Sequence, residues 1–417
     1  MVKGMKQTEI GLIPDDWDLI EFNKYFNFLS TASYSRAEIN HQGNIGYLHY
    51  GDIHTKIKAH LDLNEYVSGY ITKDQLKTYT ILKEGDLIMA DASEDYSGVG
   101  KAFEVKNSPR FPVISGLHTF LIRDKIDGIV AKGFKGYFHN NPLIKKQYDS
   151  LATGLKVYSL SKNSFKNIQI PLPPLPEQEA IAGALSDADA WIENLEQLIA
   201  KKRLIKQGAM QELLTPQEDW IEYDFNKVVW FQEGPGLRNW QFTKDGIKVI
   251  NVTNLENGYL NLAKTSRHIS WNEFERMYKH FEIDEGDIVV ASSGNSYGKV
   301  SVVRKQDLPL VMNTSVIRFK PSDTIGYKYL LVFLKSFLFK DQIDLLITGG
   351  AQPNFGPAHL NKIKISSPKS LSEQERIATI LSDMDAELEA LETQLGKARQ
   401  IKQGMMQELL TGRVRLI

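Results

Sequence analysis

Pro176-Glu177-Gln178-Glu179 through Gln211-Glu212-Leu213-Leu214-Thr215 realigns without a gap on Ser372-Glu373-Gln374-Glu375 through Gln407-Glu408-Leu409-Leu410-Thr411, 196 positions later. Of the 40 aligned pairs 25 are identical, so the chain is a duplication. A period near 200 is too long for a solenoid and predicts two copies of a domain plus a helix, related by approximate two-fold symmetry. Within the repeat the apolar positions Ile181, Leu185, Ala188, Ile192, Leu195 and Ile199 step by 4, 3, 4, 3 and 4, and Ile377, Leu381, Met384, Leu388, Leu391 and Leu395 follow the same steps. That spacing is a coiled-coil seam. Each stripe has one matching partner in the chain, so the two helices are expected to pair with each other, antiparallel.

Boundaries follow from the flanks. Pro173, Pro174 and Pro176 block helix upstream of the first copy, and Ser372 with Glu375 has the spacing of a capping box for the second. The expected organisation is a first globular domain over 1–175, a helix over 176–214, a second domain over 215–371 and a helix over 372–417. Gly208 and Gly404, inside the helical register, suggest a close helix crossing.

Outside the helices the resemblance between copies is weaker but ordered. Asp16-Trp17 and Phe22-Asn23-Lys24 recur as Asp219-Trp220 and Phe225-Asn226-Lys227. Glu84-Gly85-Asp86-Leu87-Ile88 recurs as Glu285-Gly286-Asp287-Ile288-Val289, a tight turn feeding an apolar strand. A Gly/Ser-rich loop ending in Gly-Lys follows each, at 91–101 and 292–299. Strand-like runs come next, at Thr119 to Arg123 and Thr314 to Lys320, then helical patterns over 129–151 and 327–346. Both domains read as mixed α+β.

The chain carries 50 Lys and Arg against 51 Asp and Glu, and no cysteine, which excludes disulfides and thiolate metal sites. The charges divide unevenly. Residues 1–176 hold 21 basic against 19 acidic side chains and residues 215–371 hold 19 against 17, whereas 177–214 hold 4 against 7 and 372–417 hold 6 against 8. Each domain can therefore carry a basic face. The polar N-terminus and the short apolar run 329–339 point to a soluble, cytoplasmic protein with no membrane partner.

This order of a domain, a heptad helix, a second domain and a second heptad helix resembles the specificity subunit of a Type I restriction–modification system. The resemblance spans essentially the whole chain. It rests further on the junction Pro171-Leu172-Pro173-Pro174-Leu175-Pro176-Glu177-Gln178, on Ile10-Gly11-Leu12-Ile13-Pro14 with Trp17, on the Thr153-Gly154 and Thr348-Gly349 turns, and on the paired Gln-Glu-Leu-Leu-Thr ends. The second junction, Ser366-Ser367-Pro368-Lys369, departs from the proline-rich form. The resemblance implies two target-recognition domains, each reading one half of a split, asymmetric double-stranded DNA site. It implies helices that set the unread gap and dock two methyltransferase subunits, with translocating restriction subunits joining for cleavage. S-adenosylmethionine, ATP and Mg²⁺ would belong to those partners, and the chain itself would be no enzyme and hold no metal.

Within that reading the Gly/Ser loops are the first candidates for DNA contact, because small residues let backbone amides approach phosphates while Ser, Asn, Tyr and Lys offer donors. They supply Ser93, Tyr96 and Lys101 in the first domain and Ser292, Ser293, Asn295, Tyr297 and Lys299 in the second. Lys156 and Tyr158, and Gln352 and Asn354, form a second set beside the Thr-Gly turns. Ordinary turn and capping roles are the plain alternative. His49, Asp52, His54 and His60 suggest a metal site, and Asp91 with Glu104 and Lys106 suggests a nuclease. Neither set recurs in the second domain, where Asn251, Asn254, Ser292 and Lys305 stand instead. No Gly-x4-Gly-Lys-Ser/Thr loop and no Asn/Asp-Pro-Pro-aromatic stretch is present, which assigns motor and methyl-transfer chemistry to other chains. The rivals are a coiled-coil scaffold binding protein only and a stand-alone nuclease.

Overall fold

The computed structural model describes residues 4–75, 79–347 and 353–416. They form two compact units, Met1–Gln197 with Thr393–Ile417, and Leu198–Glu392. The division runs through both long helices, Leu175–Leu213 and Leu371–Leu409, so each unit holds one globular domain and one end of each helix.

The two domains repeat one topology. In the first, the main sheet has the order Phe26–Leu29, Thr119–Asp124, Leu87–Ala90, Ala102–Asn107, His60–Asp62. In the second the order is Val229–Glu233, Val316–Pro321, Ile288–Ala291, Val300–Val302. A smaller sheet pairs Ile45–Leu48 in parallel with Val113–Ser115, and its counterpart pairs Ile247–Ile250 in parallel with Leu310–Met312. The central strands are apolar at every position because both sheet faces are covered. Leu87 and Met89 enter one core and Ile88 and Ala90 the other; Ile288 and Val290, then Val289 and Ala291, divide the same way. This is the period-two alternation of a strand between two layers.

The turn before each central strand needs its glycine, since Gly85 and Gly286 adopt φ of +80° and +83°. The following aspartate is buried and paired with an arginine of the neighbouring strand. Arg123 holds Asp86 two-handed at 2.6 and 2.7 Å, and Arg318 reaches Asp287 at 3.1 Å.

A buried glutamine ties each long helix to its domain. Gln178 accepts from the Ala131 amide at 2.8 Å and donates to the Pro173 carbonyl at 2.8 Å. Gln374 accepts from Gly326 at 2.7 Å and donates to Pro368 at 2.9 Å. The repeated Glu-Gln-Glu thus has a structural cause. The repeated Leu-Leu-Thr has one too: Leu214 and Leu409–Leu410 are core residues, and Thr215 and Thr411 each donate to a carbonyl four residues back at 2.6 Å.

Antiparallel helix pairing is visible inside each unit. In the first, Lys402 meets Asp189 at 2.5 Å and Arg399 meets Glu196 at 2.7 Å. In the second, Lys206 meets Asp385, and Arg203 meets Glu392 at 2.5 Å. Shifting either set by the 196-residue repeat yields the other. Ile192, Leu195 and Ile199 are buried seam positions, while Leu388, Leu391 and Leu395 are half-buried. Ile181 and Leu185, with Ile377 and Leu381, belong instead to the domain cores, so each heptad stripe begins as domain packing.

Three expectations fail. The second helix starts at Leu371, Ser372 bonds to Ser370, and Glu375 pairs with Lys328, so no Ser372–Glu375 capping box forms. A Cβ built on Gly208 or Gly404 meets nothing within 4 Å among the described residues, so neither marks a close crossing. The helical pattern over 129–151 is a 3-10 turn, Lys135–Asn140, followed by a helix, Pro142–Leu151, because Asn141 caps the Leu143 amide and Pro142 begins the new helix.

Candidate nucleic-acid interface

The main-sheet strands deliver the Gly/Ser loops to one edge of each domain. In the first, Asp91 follows the central strand, its amide donating to the His118 carbonyl while its own carbonyl accepts from Leu160. In the second, Ser292 donates to Ser315 and accepts from Phe355 in the same way. The turn after each Thr-Gly is stitched to this edge: Tyr158 and Ser159 pair with Ser93 and Ala92, and Asn354 pairs with Ser293. The two candidate sets therefore meet at one edge in the first domain, and Asn354 joins Ser293 at the same edge of the second. Gln352 and the Thr348-Gly349 turn lie outside the described residues.

Several of these side chains are engaged within the protein. Tyr96 donates to the Asp149 carbonyl, and Tyr297 donates to Asp344 at 2.6 Å. Lys145 and Lys340 pair with the same two aspartates and lie 5.9 and 5.8 Å over the respective tyrosine rings. Burial and the Asp344 carboxylate hold the Tyr297 phenol protonated, its pKa pushed up. This Tyr-Asp-Lys knot binds loop to helix in both copies. Lys101 gives its ammonium to the His54 carbonyl at 2.8 Å, with its pKa lowered by burial, and Lys299 pairs with Glu256 at 3.1 Å. Ser93 is buried and accepts from the Asp95 amide, while Ser292 is buried with its hydroxyl unpartnered among the described residues.

Other candidates stay open. Asn295 and Lys156 are exposed, and their side chains have no hydrogen-bond partner among the described residues. Beside Lys156, Leu155 is 97% exposed, which no packing role explains. Near Ser293 lies a cleft of about 620 Å³ lined by Asn251, Thr253, Lys264, Arg267, Asn313, Thr314 and Ser315. Its walls are amide, hydroxyl and cationic, the donor and acceptor set suited to base edges and phosphates. The register places His49, Tyr50, Gly116 and His118 of the first domain at the positions of Asn251, Val252, Asn313 and Ser315. Sequence reading missed Thr314, Ser315, Arg267 and His118. Aligning the strands that follow, Thr119–Asp124 on Val316–Pro321, is the signal that finds His118 and Ser315.

The metal and nuclease patterns come apart. His49 accepts from the Gly51 amide, Asp52 takes Arg36 at 2.9 Å, His54 bonds the Ala92 carbonyl and His60 the Gly133 carbonyl. Among the described residues no three His, Asp or Glu side chains are grouped to hold a metal ion. Glu104 lies opposite Leu87, four residues from Asp91, a separation of about 13 Å along a strand. Its carboxylate accepts from the Gly133 and Gly136 amides at 2.9 and 3.2 Å, a structural role.

The chain is a duplicated α+β protein whose two copies share a frame and differ in the side chains at one edge. The chain belongs to the family described as the Type I restriction modification DNA specificity domain, which matches residues 14–202 and again 218–401. Among curated relatives it is similar to the MjaVIII specificity subunit of Methanocaldococcus jannaschii, 28% identical over 67% of this chain and 70% of that one. It is also similar to the putative MjaX specificity subunit of the same organism, 23% identical over 99% and 97%. The fold matches the S subunit of a Type I system from M. genitalium with a TM-score of 0.59 at 17% identity, covering 94% of this chain and 96% of that one. No helix among the described residues is long and apolar enough to cross a membrane.

Proposed function

We propose that this chain is the non-catalytic subunit that gives a Type I restriction–modification complex its target, each domain reading one half of a bipartite, asymmetric sequence in double-stranded DNA. The carrying observation is the contrast between a constant frame and a variable cleft: Asn251, Asn313 and Ser315 in one copy stand where His49, Gly116 and His118 stand in the other. Different donor sets select different bases, so the half-sites differ. Phosphate contacts from residues such as Lys156 and Arg267 supply salt-dependent affinity.

The long helices fix the unread gap, about one helical turn (~34 Å) or a multiple between half-site centres. They also dock two methyltransferase subunits, a reading supported by apolar side chains left bare on them, Leu204 at 70% and Ile401 at 52% exposure. Restriction and translocating subunits complete the assembly. S-adenosylmethionine, ATP and Mg²⁺ serve those partners, and the complex works in the cytoplasm.

The test is methylome sequencing of cells expressing this chain with its methyltransferase partner. A split methylated motif that vanishes when this gene is deleted is expected. Unchanged methylation, or cutting by this chain alone with Mg²⁺, would overturn the proposal.

A further inference from the structure

His118 stands in the left-handed region, φ +57°, just before the strand Thr119–Asp124, and its counterpart Ser315 does the same at +64°. Glycine is the low-cost residue there, since a side chain in this conformation is disfavoured. Both copies nevertheless keep a polar side chain. Ser315 lines the cleft of the second domain, which marks the equivalent place in the first as His118.

The imidazole is exposed by half yet held in orientation. Its Nδ1 faces Asp91 Oδ1 at 3.3 Å, and the Tyr50 ring lies edge-on to it at 5.3 Å and 73°. Asp91 Oδ1 is shut from solvent and makes no well-formed hydrogen bond among the described residues. Burial raises the Asp91 pKa and His118 opposes that rise, with Lys162 a weaker influence. Nδ1 is turned to Asp91; when it accepts the proton of that carboxyl, Nε2 carries the ring N–H, a donor with no partner among the described residues.

We infer that His118, oriented by Asp91 and Tyr50, reads a purine of the first half-site by donating Nε2–H to N7. The inference rests on the proposed DNA reading and goes beyond it by naming atom, base class and half-site. N7 is the major-groove acceptor shared by adenine and guanine. In the second domain Ser315 stands at this position, so the imidazole contact is particular to the first half.

The test uses the complex with its methyltransferase subunits and duplexes carrying the methylated motif. Each purine of the motif is replaced in turn by its 7-deaza analogue, which loses N7 and keeps base pairing. For the native complex one first-half substitution is expected to weaken binding about 10-fold. His118→Ala is expected to lose a similar factor on the unmodified duplex and to be indifferent to that same substitution. His118→Ser, the residue of the second copy, should behave like Ala and preserve the backbone. Second-half substitutions should cost native and variant complexes equally. Equal cost of every first-half substitution in native and variant complexes overturns the inference while leaving the DNA reading intact. A native complex that binds no split motif overturns the DNA reading itself.

Discussion

In the first domain the central strand ends at Ala90, and the next side chains at that edge are Asp91, His118, Tyr50 and His49; in the second it ends at Ala291, followed by Ser292, Ser315, Val252 and Asn251. The backbone bonds that shape the edge are the same in both. So are the Asp-Arg pair beneath it, the Tyr-Asp-Lys knot beside it and the glutamine that anchors the long helix. Buried charge and backbone geometry are coupled to everything around them and tolerate little change. Side chains at the rim face solvent or a ligand and vary at low cost. A duplicated reader can therefore diverge in what it reads while its frame stays fixed.

The largest expected effect probes the frame. Arg318→Leu strands Asp287 in the core of the second domain, leaving it Lys320 at 3.2 Å and the Asp284 amide at 2.8 Å, and should cost that unit about 3–5 kcal/mol. Arg123→Leu should cost less, because Arg123 is 27% exposed against 7% for Arg318. Hydrogen exchange followed by mass spectrometry reads each unit separately. Equal losses would show that the two pairs are not graded by burial.

A second prediction exploits a difference inside the frame. His139 of the first domain corresponds to Leu334, a core residue of the second. Although the His139 side chain is partly accessible, its Nδ1 is buried without a partner among the described residues, and burial drives its pKa from 6.5 to about 3. Between those values the unfolded chain binds a proton that the folded domain refuses, so stability falls as pH drops below about 6.5. His139→Leu should stabilise the first unit by about 1 kcal/mol at neutral pH. The advantage should widen toward pH 5, as thermal melts across that range will register. An advantage that shrinks on acidification would refute the assignment.

The smallest effect concerns the helices. With nothing within 4 Å of a Cβ at Gly208, replacing it by Ala should stabilise the helix by about 0.5–1 kcal/mol. A loss in thermal melts would restore the close-crossing reading.

Much of the architecture was legible in the residues. The heptad steps specified both helices, and the shared Glu-Gly-Asp turn located the central strands. The site was less so. Tyr96 and Tyr297 look like free donors in sequence, yet their hydroxyls meet Asp149 and Asp344 from a helix some fifty residues away. Lys101 and Lys299 are likewise engaged by partners distant in sequence. A polar loop residue reads the same whether its partner is a nucleic acid or a distant part of its own chain. His118 and Ser315 escaped notice because neither lies in a Gly/Ser run. Their shared backbone conformation shows only in the structure, although aligning the strands that follow them pairs the two positions.

The central claim is that each domain reads its own half-site independently. It is tested most directly by exchanging residues 215–371 for the corresponding segment of another family member and sequencing the methylome. The account predicts a motif with one half altered, the other retained and the gap unchanged. Alteration of both halves, or a motif left as it was, would contradict it.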